Sequence, residues 1–372
     1  MRKGFYDLKV GFVIKEMDST IQIGFNIPEK HTDDFIFSPG KYLTLKVTID
    51  EKSYRRAYSI CSSNSDKKTV SVLVKRLEAG KVSNFLNDEI KPGSTIAVLP
   101  PMGNFKIALQ NSIPINYLLI GAGSGITPLL SMITSVLDEE SENTCHLLYG
   151  NSHENSIIFK SKLDRLALVY ANRFTVDYVL SKPILSKEKG VLSFLNKGKQ
   201  TWLGSVGRIN ETLIAEFLKK NQKNNNNEYY ICGPGAMIEA SVEALHNLEI
   251  EKSLIHREYF TSADPKAVEE TDTLLDDKEI LKKAIITLDG ETTELAIATK
   301  TTIVDALLNK GIEPPYSCLS GSCSSCKAKI TEGKVKMDIN IGLEEGEEEE
   351  GFILTCQSHL LTDTVRINYD TI

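Results

Sequence analysis

Hydrophobic and polar positions alternate along the first hundred residues. Runs at 5–16, 20–27, 42–49, 54–61, 69–76 and 95–99 are short, rich in β-branched and aromatic side chains, and separated by turn residues. Strands at this spacing predict a small antiparallel barrel, interrupted by one short helix at 82–90. The pattern then changes. Strands at 117–121, 145–150, 174–180 and 228–232 alternate with helices at 127–139, 156–167, 210–220 and 234–247. That alternation predicts a doubly wound parallel sheet. Residues 224–227, all Asn, read as a solvated loop between helix and strand.

No charged residue occurs from Asn111 to Leu137, a stretch long enough to cross a bilayer on length alone. Pro114, Gly121, Gly123, Gly125 and Pro128 break it, so a buried strand, a glycine loop and a helix fit better. After Phe260 the text turns acidic and helix-poor, as a flexible linker does. From Leu281 it reads as strand, hairpin and a helix at 302–310. The expected chain is therefore multi-domain: an antiparallel β-barrel over 1–110, an α/β domain over 111–262, a linker at 263–279 and an α+β domain over 280–372.

Composition narrows the class. With 372 residues, 41% hydrophobic and 25% charged, this is an ordinary globular chain long enough for two or three cores. A net charge of −7 argues against nucleic acid and fits docking on basic surfaces. The N-terminus runs straight into strand pattern with no apolar signal core, which predicts a cytoplasmic protein without membrane insertion. The six histidines form no pair with metal spacing, and no Ser-His-Asp set stands out.

The chemistry concentrates near the end. Within Pro315-Tyr316-Ser317-Cys318-Leu319-Ser320-Gly321-Ser322-Cys323-Ser324-Ser325-Cys326, four residues separate Cys318 from Cys323 and two separate Cys323 from Cys326; 29 more lead to Cys356. This is plant-type spacing for a [2Fe–2S] cluster. Three thiolates must reach two irons from one tight loop, and the small residues between them leave backbone N–H groups free to face the sulfides. Zinc and disulfides are the alternatives. Zinc sites usually present two close pairs, and disulfides need an oxidising compartment. The segment resembles the plant-type ferredoxin family, which implies a β-grasp domain. Leu319 departs from it, since photosynthetic members often carry Arg there. Plant-type clusters lie at roughly −400 mV, so a cluster filled from a nicotinamide is expected to have a raised potential, through altered hydrogen bonding near Leu319.

Upstream, Arg56-Ala57-Tyr58-Ser59 ends a strand and Gly80-Lys81-Val82-Ser83 opens the short helix. A guanidinium can pair with diphosphate oxygens, an aromatic face can lie along a flat ring, and a glycine at a helix start lets N–H groups face a phosphate. In this order they resemble the flavin-binding half of the ferredoxin-NADP reductase family. The resemblance implies FAD held by Arg56, Tyr58, Ser59, Gly80, Val82 and Ser83, with Tyr58 along the isoalloxazine and Ser59 near its N5. Pro101-Met102-Gly103-Asn104-Phe105 is similar to the family's hinge. Gly121-Ala122-Gly123-Ser124-Gly125-Ile126-Thr127-Pro128 resembles its nicotinamide-dinucleotide loop, implying roles for Gly121, Gly123, Ser124, Gly125 and Thr127. Its spacing is not that of the two-domain dehydrogenases.

Cys232-Gly233-Pro234-Gly235 ends the last strong strand. Taken alone, such a cysteine is a small buried hydrophobe; in the family this segment faces the hydride-transfer site. Ser59, Thr127 and Cys232 are therefore the candidate catalytic residues, while Cys61 and Cys145 are expected in the core. Glu258-Tyr259-Phe260 is similar to an acidic-aromatic ending that covers FAD, with Phe260 a cofactor contact. Ser181 and Lys182, and with them Arg208, suit a ribose 2′-phosphate, which favours NADPH over NADH.

Across the whole chain, the order of modules resembles oxygenase-type reductases with a C-terminal plant-type ferredoxin domain. That implies a hydride passed from NADPH to FAD, then single electrons through the [2Fe–2S] cluster to an acceptor protein, an oxygenase or hydroxylase component. The alternatives are a general ferredoxin, flavin or hybrid-cluster-protein reductase, and a redox sensor that turns nothing over; intact GAGSGITP and CGP segments weigh against the sensor. The linker implies a ferredoxin module that moves between flavin and partner. The acidic run from Glu344 to Glu350 is a solvated loop or a docking patch.

Overall fold

The computed structural model describes residues 4–109, 113–186, 199–222, 226–260, 280–344 and 346–371. Strands β1 (Tyr6–Met17), β2 (Thr20–Asn26), β3 (Tyr42–Ile49), β4 (Lys52–Ser59), β5 (Thr69–Lys75) and β6 (Thr95–Val98) form one antiparallel sheet in the order β4-β3-β6-β1-β2-β5. Its two edges meet just past β4, where Ile60 bridges Val72 and the Cys61 amide donates to the Ser71 carbonyl at 2.9 Å. Closure removes the exposed edges that a flat sheet would leave. Alternation supplies the filling: Leu8, Ile23, Phe25, Leu43, Leu45, Val72 and Val98 point inward, and helix α1 (Lys81–Glu89) adds Val82 and Leu86 to the same core.

The second unit is a parallel sheet of β7 (Asn116–Ala122), β8 (Thr144–Asn151), β9 (Phe174–Leu180), β10 (Ser205–Val206), β11 (Asn227–Gly233) and β12 (Ile255–Tyr259), ordered β10-β9-β8-β7-β11-β12. Helices α2 (Ile126–Asp138) and α3 (Lys160–Val169) cover one face, with Ile126, Leu130 and Leu163 packed on Leu119, Leu147 and Phe174. Helices α4 (Glu211–Asn221) and α5 (Gly235–Asn247) cover the other, with Ile214, Phe217 and Ile238 on Leu118, Ile120 and Ile231. The doubly wound arrangement is as expected, and the order of the strands reverses beside β7.

One boundary differs from the expected 156–167. Residues Glu154–Ser156 form a single 3₁₀ turn, and Phe159 has φ +59°, so α3 starts only at Lys160. The left-handed residue turns the Phe159 ring into the core, where it is 4% exposed. The C-terminus of α2 is closed from outside: the Arg173 guanidinium donates to the carbonyls of Val136 at 2.5 Å, Glu139 at 3.1 Å and Asn143 at 3.0 Å. The helix end leaves the Val136 carbonyl without an internal partner, and the same guanidinium ties in the segment before β8 through Asn143.

The third unit is a mixed sheet. Strands β13 (Leu281–Leu288), β14 (Glu291–Ala298), β15 (Lys327–Glu332), β17 (Phe352–Leu354) and β19 (Thr364–Asn368) lie in the order β14-β13-β19-β15-β17, with β16 (Val335–Met337) and β18 (Ser358–Leu360) paired beside them. Strands β13 and β19 run parallel while the other neighbours are antiparallel. Helix α6 (Ile303–Asn309) lies across it, burying Ile303 and Leu307 against Ala284, Ile286 and Val365. The expected linker at 263–279 lies outside the described residues. Among the described residues no helix is long and apolar enough to cross a membrane.

Because Arg173 holds the end of the helix that follows the glycine loop, Arg173→Ala is expected to cost about 2 kcal/mol of stability. Urea denaturation measures it, and an unchanged midpoint would show that water replaces the guanidinium without loss.

Candidate active site

Ser59 ends β4 and is 7% exposed. Its hydroxyl donates to Glu258 Oε2 at 3.2 Å, on the last strand of the parallel sheet. Glu258 in turn stands opposite Cys232 in the β11–β12 register. A barrel residue and two sheet residues thus meet at one point. Glu258 is half-buried on the wall of a crevice, and this burial pushes its pKa up to about 8 against the pull of the Ser59 hydroxyl. Burial also holds the Cys232 thiol well above its ordinary value, with Glu258 adding to the effect. Both groups are therefore proton-bearing near neutral pH.

The rest of the barrel motif follows the strand. Tyr58 is kept un-ionised by burial, and Arg56 is exposed, with Nη1 donating to the Arg55 carbonyl at 2.7 Å. At Gly80, which precedes α1, an added Cβ would lie 2.5 Å from Ser83 Oγ. Ser83 spends its hydroxyl on that turn, accepting from the Leu77 amide at 3.1 Å and donating to the Gly80 carbonyl at 3.2 Å. Val82 is core. What the turn can offer an anion is thus the first N–H groups of α1 together with Lys81.

In the glycine loop each small residue has a distinct reason. Gly123 has φ +55°, and a Cβ there would meet nothing within 4 Å, so the backbone faces open space of the kind a diphosphate needs. At Gly125 a Cβ would lie 2.1 Å from the Cys232 carbonyl oxygen, so the loop packs directly on the cysteine strand. At Gly121 it would meet Leu129 at 2.7 Å. Thr127 is buried and donates its hydroxyl to the Ser124 carbonyl at 2.8 Å, bracing the loop. Gly233 and Pro234 lead into α5, which brings a second helix start to the same end of the sheet. Phe260 packs against the α2 side of the core.

Ser181 and Lys182 follow β9, their amides bonded to the carbonyls of Asn151 at 3.0 Å and Ser152 at 2.7 Å. Val206 pairs with Leu180, which carries Arg208 to the same sheet edge. All three polar side chains are exposed there.

The four spaced cysteines come together. Cys323 Sγ donates to Cys318 Sγ at 3.1 Å, and the Cys326 and Cys356 thiols are hydrogen-bonded to each other. The Cys323 hydrogen bond, with one from Cys356, holds Cys318 well below the usual thiol range. None is in a disulfide. Linked through Cys318 and Cys356, the four thiols lie within reach of one another, as the four ligands of a [2Fe–2S] cluster must. The Ser320 amide points at Cys318 Sγ at 3.4 Å. Gly321 has φ +69°, and a Cβ there would lie 2.9 Å from the Ile339 carbonyl oxygen. Leu319 adopts φ +58° and its carbonyl accepts from Gln357 Nε2 at 3.2 Å.

A crevice of about 600 Å³ has Glu258, Tyr259, Gly103 and Phe105 on its wall together with Cys323 and Ile341 of the third unit. Cys318 and Cys326 lie in the same loop as Cys323. The contact between Glu258 and Ser59 was not legible beforehand, because the sequence shows Glu258 only as part of an acidic-aromatic ending. The acidic run is partly structural: Glu347 pairs with Lys327 at 2.5 Å, while Glu344, Glu348, Glu349 and Glu350 are exposed.

Three family models match the chain: an oxidoreductase FAD-binding domain over 9–107, an oxidoreductase NAD-binding domain over 119–243 and a 2Fe-2S iron-sulfur cluster binding domain over 286–361. A component of 1,2-phenylacetyl-CoA epoxidase from Escherichia coli (strain K12) is 32% identical over 98% of each chain. The ferredoxin reductase component of 3-ketosteroid-9-alpha-monooxygenase from Rhodococcus rhodochrous is 34% identical over 97% of this chain and 96% of that one. Among solved structures, phthalate dioxygenase reductase superposes with a TM-score of 0.61 at 19% identity, covering 98% of both chains, a likeness of fold.

The raised Glu258 pKa has a consequence for stability. The folded protein keeps a proton that the unfolded chain releases above 4.5, so stability should fall as pH rises from 4.5 to about 8. The slope is at most about 1.4 kcal/mol per pH unit, less where crevice water screens the carboxylate. Glu258→Gln should lose that component of the slope and gain on the parent toward pH 8. Urea midpoints across the window decide; parallel curves for the two proteins would mean that the carboxyl is ionised throughout.

Proposed function

Because the chain belongs to the family of FAD- and [2Fe–2S]-binding oxidoreductases that contains these reductase components, we propose that it takes hydride from NADPH and delivers single electrons to a separate acceptor protein, the oxygenase component of a monooxygenase or hydroxylase. The observation that carries this reading is the shared crevice, with Glu258 of the Ser59–Glu258 pair on one side and Cys323 of the cluster loop on the other. Bound FAD supplies the conversion between one hydride and two single electrons.

The chain's own residues do the remaining work. Tyr58 and Ser59 orient the flavin ring from the end of β4, and the start of α1 with Arg56 neutralises its diphosphate. The Gly121–Pro128 loop, with Gly233 and Pro234, seats the dinucleotide so that donor and acceptor sit in one fixed approach. Cys232, neutral and buried, packs the hydride site without adding charge. Ser59 Oγ and Glu258 Oε2 would hold a proton beside that site. Ser181, Lys182 and Arg208 offer a hydroxyl and two cations to a 2′-phosphate. Cys318 with Cys323, and Cys326 with Cys356, hold the cluster. The exposed carboxylates of the Glu344–Glu350 turn suit an acceptor with a basic surface.

Anaerobic titration with NADPH, and separately NADH, followed by flavin absorbance and cluster spin signal together, tests the reading: NADPH should bleach the flavin and the cluster signal should grow with it. A flavin that bleaches beside a silent cluster would break the relay. Lys182→Glu should raise KM for NADPH about tenfold, the worth of one charge-assisted hydrogen bond, and leave KM for NADH nearly unchanged; equal effects on both would remove the 2′-phosphate assignment. Cys326→Ser should keep ferricyanide reduction, which flavin performs directly, and lose reduction of a one-electron protein acceptor such as cytochrome c.

A further inference from the structure

Strand β3 presents Leu43, Leu45 and Val47 to the barrel core. Alternation therefore turns Tyr42, Thr44 and Lys46 to the outside, where a barrel strand normally meets water. Here it does not: Tyr42 is 4% exposed and Thr44 0%. The ferredoxin module covers them. Tyr42 Oη shares a hydrogen bond of 2.5 Å with Ser325 Oγ, and Thr44 Oγ1 shares one of 2.7 Å with Ser317 Oγ. Ser325 and Ser317 are themselves buried, at 8% and 1% exposure.

The positions of the two serines matter. Ser317 immediately precedes Cys318 and Ser325 immediately precedes Cys326, so each hydroxyl pair fixes the backbone next to a cluster ligand, one from each thiol pair. On the barrel side, Tyr42 stands directly opposite Ser59 in the β3–β4 register. The same face carries a third tie: Arg55, 6% exposed, reaches Glu313 Oε2 at 2.5 Å and stacks its guanidinium 4.4 Å from the Tyr316 ring centre.

We propose that Tyr42 and Thr44 are positioning residues for electron transfer within the chain: their hydroxyls register the cluster loop on the flavin barrel, so that the docked arrangement is the one that passes electrons from flavin to cluster. The proposal rests on the relay set out above. Neither side chain is oxidised; each only fixes a distance. It also defines what a mobile ferredoxin module must break to leave for its partner, namely two buried hydroxyl pairs and the Arg55–Glu313 contact.

The test uses Tyr42→Phe and Thr44→Val, which remove the hydroxyls and little volume, in the full-length holoprotein under anaerobic stopped flow. Bleaching of flavin by nucleotide, ferricyanide reduction and the oxidised-cluster spectrum should be unchanged. Filling of the cluster after the flavin should slow by about tenfold or more in the double variant, the scale set by sub-ångström to ångström misplacement. Amide hydrogen exchange over residues 313–326 should quicken with it. Adding Ser325→Ala to Tyr42→Phe should slow filling no further, because both remove the same bond. Parental filling rates in the double variant, or slowed filling with unchanged exchange over 313–326, would overturn the proposal. If the double variant loses its flavin, Ser317→Ala, which leaves the barrel intact, is measured in the same way. Should the parent's own cluster fail to fill after its flavin, the relay is what fails, and exchange over 313–326 then decides the docking alone.

Discussion

The arrangement of the whole chain depends on one strand, β3, whose first half is buried on both faces. Apolar residues of β3 complete the barrel, while its polar face lies under the cluster loop. A hydroxyl removed from water costs free energy unless it is hydrogen-bonded. Tyr42 and Thr44 can be covered only by something that offers partners at the right two-residue spacing, and Ser325 and Ser317 do so. The requirement is mutual, since the loop serines are buried as well. The position of the cysteines relative to the end of β4 is thereby tied to the register of a β-ladder, which cannot slip by one residue without turning the polar face inward.

The electrostatics of the two junctions differ, and the difference suits their tasks. At Ser59 and Glu258 the protein encloses a carboxyl with no cation among the causes that shift it, and the group answers by keeping its proton. The buried Cys232 thiol also keeps its proton, so this junction carries little charge. At Arg55 the protein instead pairs a buried guanidinium with the Glu313 carboxylate. Its partner Glu313 keeps 58% of its side chain exposed, so only one member of the pair bears the desolvation cost. Aromatic faces of Tyr316 and Phe5, 4.4 and 4.9 Å from the guanidinium, take up the rest of its surface.

Signals carried by neighbouring residues were legible in the sequence. Strand alternation placed the barrel, the change of period placed the parallel sheet, glycines placed the tight loop at the start of α2, and cysteine spacing pointed to four ligands for a binuclear cluster. These signals are local because each rests on the geometry of a few consecutive residues. Even there a local surprise remained: Phe159 in a left-handed conformation delayed α3, and nothing in its residue type announces that.

Only the tertiary structure decided which of these parts touch. Ser59 meets Glu258 across 199 residues and Tyr42 meets Ser325 across 283. Contacts of that separation leave no periodicity, because the two partners are selected by how the units pack and not by the chain between them. In the sequence Tyr42 and Thr44 are indistinguishable from the solvent-facing positions of any amphipathic strand, and Ser317 and Ser325 read only as small residues suited to a cluster loop. Their role exists because the ferredoxin module excludes water from that face, and exclusion of water is a property of the packed chain.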